Sequence, residues 1–148
     1  FHHGQLQGAR KRISPHLGRG PSEPADPALG RFYQRLLAVL RRRAVRHGRW
    51  RLLECLPAWE GNWTCDGFLG FAWEGADDEQ LLVAVNYAPT QGQCYMRLPM
   101  PELAGAQWRL VNQVGEDTYL RAGDDLLSRG LYLDMSPWQA AVYALSRV

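Results

Sequence analysis

The sequence predicts a mainly β protein: an antiparallel β-sandwich of about eight strands, Greek-key-like, preceded by a long loop and one amphipathic α-helix. Three observations carry this. Beyond Trp50 apolar residues recur with a period of two, and turn signals arrive about every 10–15 residues, the rhythm of an antiparallel sandwich or barrel. Between Pro27 and His47 they recur at three- and four-residue steps, the period of a helix. Before Asp26 neither period is present.

The leading stretch, 1–26, holds four glycines and three prolines among polar residues and reads as a loop. A structureless run of that length is uncommon inside a compact domain, so it reads as a piece lacking its surroundings; Phe1 stands where an initiator Met would. The helix that follows has chemically marked ends. Asp26 suits the N-cap, Pro27 the first helical position, and Gly48 the stop after Arg46 and His47, predicting one helix over 27–48. Leu29, Phe32, Tyr33, Leu36, Leu37, Leu40 and Ala44 form its apolar stripe, which must pack on something.

Strands are predicted near 50–56, 68–74, 80–87, 93–98, 107–113, 118–121, 130–135 and 139–147. Between them Gly75, Pro89, Gly92, Pro99, Pro101, Gly115, Gly123 and Pro137 supply the residues that tight turns require. Leu131 and Leu133 alternate with Tyr132 and Asp134, and Trp108 and Leu110 with Arg109, as one-sided strands do. The run Leu81-Leu82-Val83-Ala84-Val85 is apolar on both sides and predicts a central strand covered twice.

The chain has 148 residues, 22% charged and 46% hydrophobic, which fits one domain with a small appendage and needs no metal or disulfide to fold. No apolar run approaches the ~18 residues of a membrane span, so no membrane association is expected. Cys55, Cys65 and Cys94 form no Cys-x-x-Cys pair and read as buried thiols. The compartment is open, with the cytoplasm slightly favoured.

Net charge is split sharply. Residues 1–51 carry eleven Arg and one Lys against Glu23 and Asp26, a net of +10, while 52–148 carry five Arg against thirteen acids, a net of −8. A basic arm is one route to nucleic acid, but the aromatic interleaving of a single-strand binder is weak here. Nucleic acid is therefore not expected as a partner, and an acidic protein surface explains the charge equally well.

The histidines His2, His3, His16 and His47 form no zinc-binding spacing, and no nucleophile elbow or phosphate-cradling glycine loop occurs, so neither a metal nor another cofactor is expected. Asp77, Asp78, Glu79, Asp124 and Asp125 fall in predicted turns as solvated groups. Trp73, Trp108 and Trp138 fall within or beside strands, where large aromatics fill the core. Trp59 and Trp63 lie in an exposed-looking loop and are candidates either for stacking on a sugar or for anchoring the loop. Asn62-Trp63-Thr64 matches the glycosylation acceptor pattern and is read as chance.

Taken in order, these segments resemble the C-terminal end of an alpha-amylase-family glycoside hydrolase or transglycosylase. The segment Phe1-His2-His3-Gly4-Gln5-Leu6-Gln7-Gly8 resembles the family's stretch after the eighth barrel strand, with Leu6 where a glutamate is usual. Asp26, Leu29, Phe32-Tyr33, Leu36-Leu37 and Leu40-Arg41 resemble its last barrel helix. The runs Leu81 to Tyr87, Leu98-Pro99, Trp108 to Leu110, and Gly130 to Trp138 resemble strands of its C-terminal sandwich.

The resemblance implies that 1–49 is the remnant of a (β/α)8 barrel and 50–148 the sandwich domain, with the rest of the barrel as partner. It implies carbohydrate metabolism on α-glucosidic bonds, with catalytic carboxylates on barrel strands outside this chain, so the chain alone is expected to be inactive. His3 and Gln5 then become candidate substrate contacts beside Trp59 and Trp63, and an α-glucan the candidate ligand. A sandwich of this kind mainly stabilises the barrel; an autonomous carbohydrate-binding module using exposed Trp residues is the alternative. The helix stripe, without barrel neighbours, is expected to self-associate or to be partly masked.

Overall fold

The computed structural model describes residues 3–11, 16, 18–20, 22–76 and 79–148. All nine strands among these residues are antiparallel and lie in two sheets. β1 (Arg49–Leu53), β3 (Phe68–Glu74), β4 (Gln80–Asn86), β6 (Gln107–Asn112), β7 (Thr118–Ala122) and β9 (Ala140–Arg147) form a six-stranded sheet in the order β1-β3-β4-β9-β6-β7. β2 (Cys55–Leu56), β5 (Gly92–Met96) and β8 (Leu131–Met135) form a smaller one in the order β2-β5-β8.

The main core lies between the sheets. Ala72, Leu82, Ala84, Trp108, Leu110, Ala141 and Tyr143 of the large sheet meet Cys94, Met96, Leu131, Leu133 and Met135 of the small one, all buried. Each strand contributes alternate residues, as a period of two demands. β4 is central and covered on both faces, as its sequence predicts: Leu82 and Ala84 join this core while Leu81 and Val83 join a second one. Expected and observed strands agree to within a residue or two, with one exception. The expected strand 50–56 is two strands, because the chain leaves the large sheet after Leu53, opposite Gly70, and enters the small one at Cys55, opposite Met96. The Glu54 carbonyl accepts from Arg97 N–H at 2.9 Å in the crossing.

The second core lies on the large sheet's outer face, under helices. α2 (Pro27–Leu40) starts where predicted: the Asp26 carboxylate accepts from the N–H groups of Ala28 at 2.9 Å and Leu29 at 3.0 Å. Val39 is buried there with Leu81, Val83 and Val142, and Phe32 and Leu36 pack beside it.

The helix does not run on to Gly48. It breaks at Arg41 and Arg42, and α3 (Arg43–His47) begins afresh. The cause is tertiary. Glu79 Oε1 pairs with Arg42 Nε at 2.6 Å, and Glu79 Oε2 accepts from the Ala44 N–H at 3.0 Å, so a carboxylate from the β3–β4 turn serves as the missing cap of α3. Glu79 is therefore not the solvated turn residue expected; Asp77 and Asp78 lie outside the described residues.

Two further elements correct the sequence reading. Within the expected loop 1–26, α1 (His3–Gln7) forms one helical stretch, closed by Gly8 at φ +75° with the Ala9 N–H donating to Gly4 O at 2.9 Å. The expected turn at 122–125 opens α4 (Gly123–Arg129), which buries Leu126 between its polar residues. Asp124 and Asp125 occupy its first turn, where the helix dipole favours anions, and Asp124 Oδ1 accepts from Gly105 N–H at 3.0 Å. Gly123 backs onto the Leu103 carbonyl so closely that an added Cβ would lie 1.6 Å from its oxygen.

Candidate functional site

The charge split becomes a set of contacts. Arg35 on α2 pairs with Glu116 and also donates to the Gly115 carbonyl, and Arg42 pairs with Glu79 and donates to Gln113 Oε1 at 3.0 Å. The basic helices are thus held on acidic loops of the sandwich. Exposed pairs such as Arg35 with Glu116 add little. The half-buried Arg42 pair counts for more, and its guanidinium holds the Glu79 carboxyl below its ordinary range.

Helices cover only part of the outer face. On β1 and β3, Trp50 stands opposite Trp73 and Leu52 opposite Phe71. Trp50 and Phe71 rings lie 6.1 Å apart, and Phe71 and Trp73 rings 5.1 Å apart, edge to face. This apolar row points to water: Trp50 is 54% and Leu52 59% exposed, and Leu69 is exposed beside them. Leu40, on α2, is exposed as well. Beside the apolar row a cleft of about 520 Å³ opens between Leu52, Glu54, Arg97, Pro99 and Met100. Its side chains are apolar apart from the Glu54–Arg97 pair.

The expected sugar-contact residues do not converge. His3 and Gln5 lie on α1, which packs on α2 outside the large sheet; Gln5 is exposed. Trp59 and Trp63 lie in the loop that packs on β5 of the small sheet, at 55% and 72% exposure. That loop is well tied. Asn62 is buried, its Nδ2 lies 3.0 Å from Thr64 Oγ1, and Gln93 N–H donates to the same hydroxyl at 3.0 Å.

A different aromatic pair stands out. Trp138, expected in the core, is 60% exposed and lies edge to face with Tyr87, 75% exposed, at 5.4 Å between ring centroids. Trp108 is buried as expected, its Nε1 donating to Leu103 O at 3.0 Å. Trp138 departs because it sits in the turn 136–139 rather than on β9: Gln139 N–H donates back to Ser136 O at 3.2 Å. Pro137 takes the second turn position and Trp138 the third, at φ +58°. Buried Asn86 fixes the arrangement, with Nδ2 at 2.8 Å from Thr90 O, 3.1 Å from Met135 O and 3.0 Å from Ser136 O. The dipeptide Ser136-Pro137 announces the turn in the sequence, but nothing there announces its positive φ.

Cys55 and Cys94 share a hydrogen bond that lowers the Cys55 thiol below its ordinary range. Hydrogen bonding to Cys55 and burial hold the Cys94 thiol well above its ordinary range, and burial raises Cys65. Among the described residues no group of three His, Cys, Asp or Glu side chains stands close enough to hold a metal ion. No helix among them is long and apolar enough to cross a membrane.

Two antiparallel layers with helices on one outer face define a β-sandwich domain carrying an adherent helical segment. Its fold is that of a portion of trehalulose synthase MutB, an alpha-amylase-family enzyme. The monoclinic crystal structure of that enzyme from Pseudomonas mesoacidophila MX-45 matches at a TM-score of 0.50 and 17% identity, over 82% of this chain and 18% of that one. An inactive double mutant in complex with isomaltulose matches at 0.51 and 18%, with the same coverage. This chain spans about a fifth of the length of those enzymes. No protein-family model matches the chain, and no curated protein sequence matches it.

Proposed function

We propose that this chain is a non-catalytic C-terminal fragment of an alpha-amylase-family enzyme that hydrolyses or transfers α-glucosidic bonds. In this reading 1–49 is the end of the catalytic barrel and 50–148 the sandwich that stabilises it. The observation that carries the reading is the half-covered outer face of the six-stranded sheet. Its second core is finished by α2 where the helix lies, and left bare at Trp50, Leu52 and Leu69 on the outermost strands β1 and β3. A barrel that contained α2 as its last helix would cover these residues and Leu40 together. Removing each such side chain from water is worth about 1–2 kcal/mol, so a handful of them suffices to fasten a domain.

The chemistry would reside in the barrel, where retaining glycosidases place two carboxylates across the scissile bond. The test is to extend the reading frame upstream of the Phe1 codon and express the encoded portion with and without this chain. The expected result is ~250 or more residues of alternating strand and helix, whose activity on soluble starch, sucrose or a malto-oligosaccharide is restored or stabilised by adding the 148-residue chain. A start codon immediately before Phe1, or turnover of these sugars by this chain alone, overturns the proposal.

The exposure of Trp59 and Trp63 favours a second reading, an autonomous carbohydrate-binding module. Retardation in a glycogen-containing gel that is abolished by Trp63→Ala supports it; unchanged mobility rejects it.

A further inference from the structure

We infer that Trp138, with Tyr87 set against it edge to face, forms a stacking site for a pyranose ring of an uncharged oligosaccharide, at the end of the sandwich where the β4–β5 and β8–β9 turns meet. The first argument is conformational. At the third position of the turn 136–139 the backbone takes φ +58°, a region that favours glycine and is an outlier for a bulky residue. A tryptophan is nevertheless held there, and its ring is turned out to water. Strain of this kind persists where surrounding structure over-determines it, and it clusters at ligand-binding sites.

The surroundings do over-determine it. The Trp138 N–H donates to Ala88 O at 3.3 Å, Asn86 N–H to Gln139 O at 2.9 Å, and Tyr87 N–H to Gly67 O at 2.7 Å. Asn86 adds its amide to both turns. Both rings are therefore carried on rigid backbone, with little ordering left to do on binding.

The second argument is chemical. Around the platform, residues 62–68, 86–93 and 134–140 include Asp66 and Asp134 and no Arg or Lys, which suits no polyanion. They do offer uncharged and anionic hydrogen-bonding groups. Gln91 Nε2 and Gln93 Nε2 both donate to Asp134 Oδ1, at 2.7 and 3.0 Å, leaving amide oxygens and the second carboxylate oxygen for hydroxyl groups. An exposed flat ring braced edge to face by a second, with amides and a carboxylate close by in the chain, matches a sugar, with its apolar C–H face and its rim of hydroxyls. The loop bearing Trp63 joins the same end, since Thr64 Oγ1 bonds to the backbone of Gln93.

This platform stands independently of the barrel-fragment reading; only the choice of an α-glucan as first probe rests on it. The experiment is a titration of the ¹⁵N-labelled 148-residue chain with maltoheptaose, and in parallel with cellohexaose, followed at the six indole N–H signals. The expected result is saturable movement of the Trp138 signal with maltoheptaose in the parent chain, and an affinity, read by titration calorimetry on parent and variants alike, that falls tenfold or more in Trp138→Gly and in Tyr87→Ala. Trp138→Gly suits the left-handed turn, so it keeps the fold, as the unchanged dispersion of the other five indole signals will report. Movement with cellohexaose alone supports the platform and rejects the α-glucan assignment. Movement confined to Trp59 and Trp63, undiminished binding by Trp138→Gly, or no movement with either sugar overturns the inference.

Discussion

On the inner face of the six-stranded sheet Leu82, Leu110 and Tyr143 are closed over by the smaller sheet, whereas on its outer face Trp50 and Leu52 keep more than half of their surface in water. The two faces are built from the same kinds of residue on adjacent positions of the same strands. The difference teaches that apolar patterning specifies a surface to be covered, not what covers it. One face is satisfied within the chain; the other is satisfied by α2 and α3 over part of its area. The largest test of that contrast is a matched pair of truncations. Leu82→Ala is expected to cost about 3 kcal/mol, the usual loss for a buried leucine, and Leu52→Ala less than about 0.5 kcal/mol in the isolated chain. Urea denaturation measures both, and similar losses would erase the distinction between the faces.

Where the helices do cover the outer face, Glu79 holds them. Glu79→Ala removes the pair with Arg42 and the cap on Ala44 together, and an expected loss of about 2 kcal/mol follows from charge-assisted hydrogen bonds of this kind. The pH dependence has a definite sign. The Arg42 bond lowers the folded-state pKa of Glu79 below its unfolded value. Its contribution is therefore fully present above an unfolded carboxylate value of about 4.3, and it is lost as pH falls through the folded value. Thermal melts from pH 6 to pH 3 should fall less steeply in Glu79→Gln than in the parent chain, and parallel curves would remove Glu79 from the account.

The bare part of the same face is expected to make the isolated chain associate with itself. Sedimentation of Trp50→Asp should show an association constant at least tenfold lower, about 1.4 kcal/mol, than that of the parent chain. A parent chain that stays monomeric at millimolar concentration and low salt would mean that Trp50, Leu52 and Leu69 are not sticky enough to dock anything.

How much of this was legible beforehand follows from the range of the interactions involved. Strand positions, the doubly covered run from Leu81 to Val85 and the Asp26 cap depend on neighbours in sequence, and were readable. The break at Arg42 was not, because the group that caps α3 is a glutamate on a distant turn. The switch of sheets at Glu54 leaves no mark in a strand-like stretch. At the candidate sites, tryptophan content pointed to Trp59 and Trp63, which are indeed exposed, yet it sent Trp138 to the core. A strand edge and a turn differ there by two residues, and the turn's backbone angle depends on Asn86, some fifty positions earlier.

That turn also supplies the smallest and most discriminating comparison, between two ways of deleting one ring. Trp138→Ala and Trp138→Gly remove the same edge-to-face contact with Tyr87, worth about 0.5–1.5 kcal/mol. They differ in the backbone. Alanine retains a Cβ at φ +58°, a conformation that costs an L-residue about 1–2 kcal/mol. Glycine relieves that cost while giving back part of it through the greater freedom of its unfolded chain. The glycine variant should therefore be more stable than the alanine variant by about 1 kcal/mol and close to the parent, as read from urea midpoints at a common slope. A glycine variant markedly less stable than the alanine one would mean that the backbone at 138 is not strained by a Cβ, and two variants both well below the parent would mean that the indole is held for the sake of the fold. Near-equality with the parent would mean that the fold gains nothing from a tryptophan at this position, and that its outward ring serves something else.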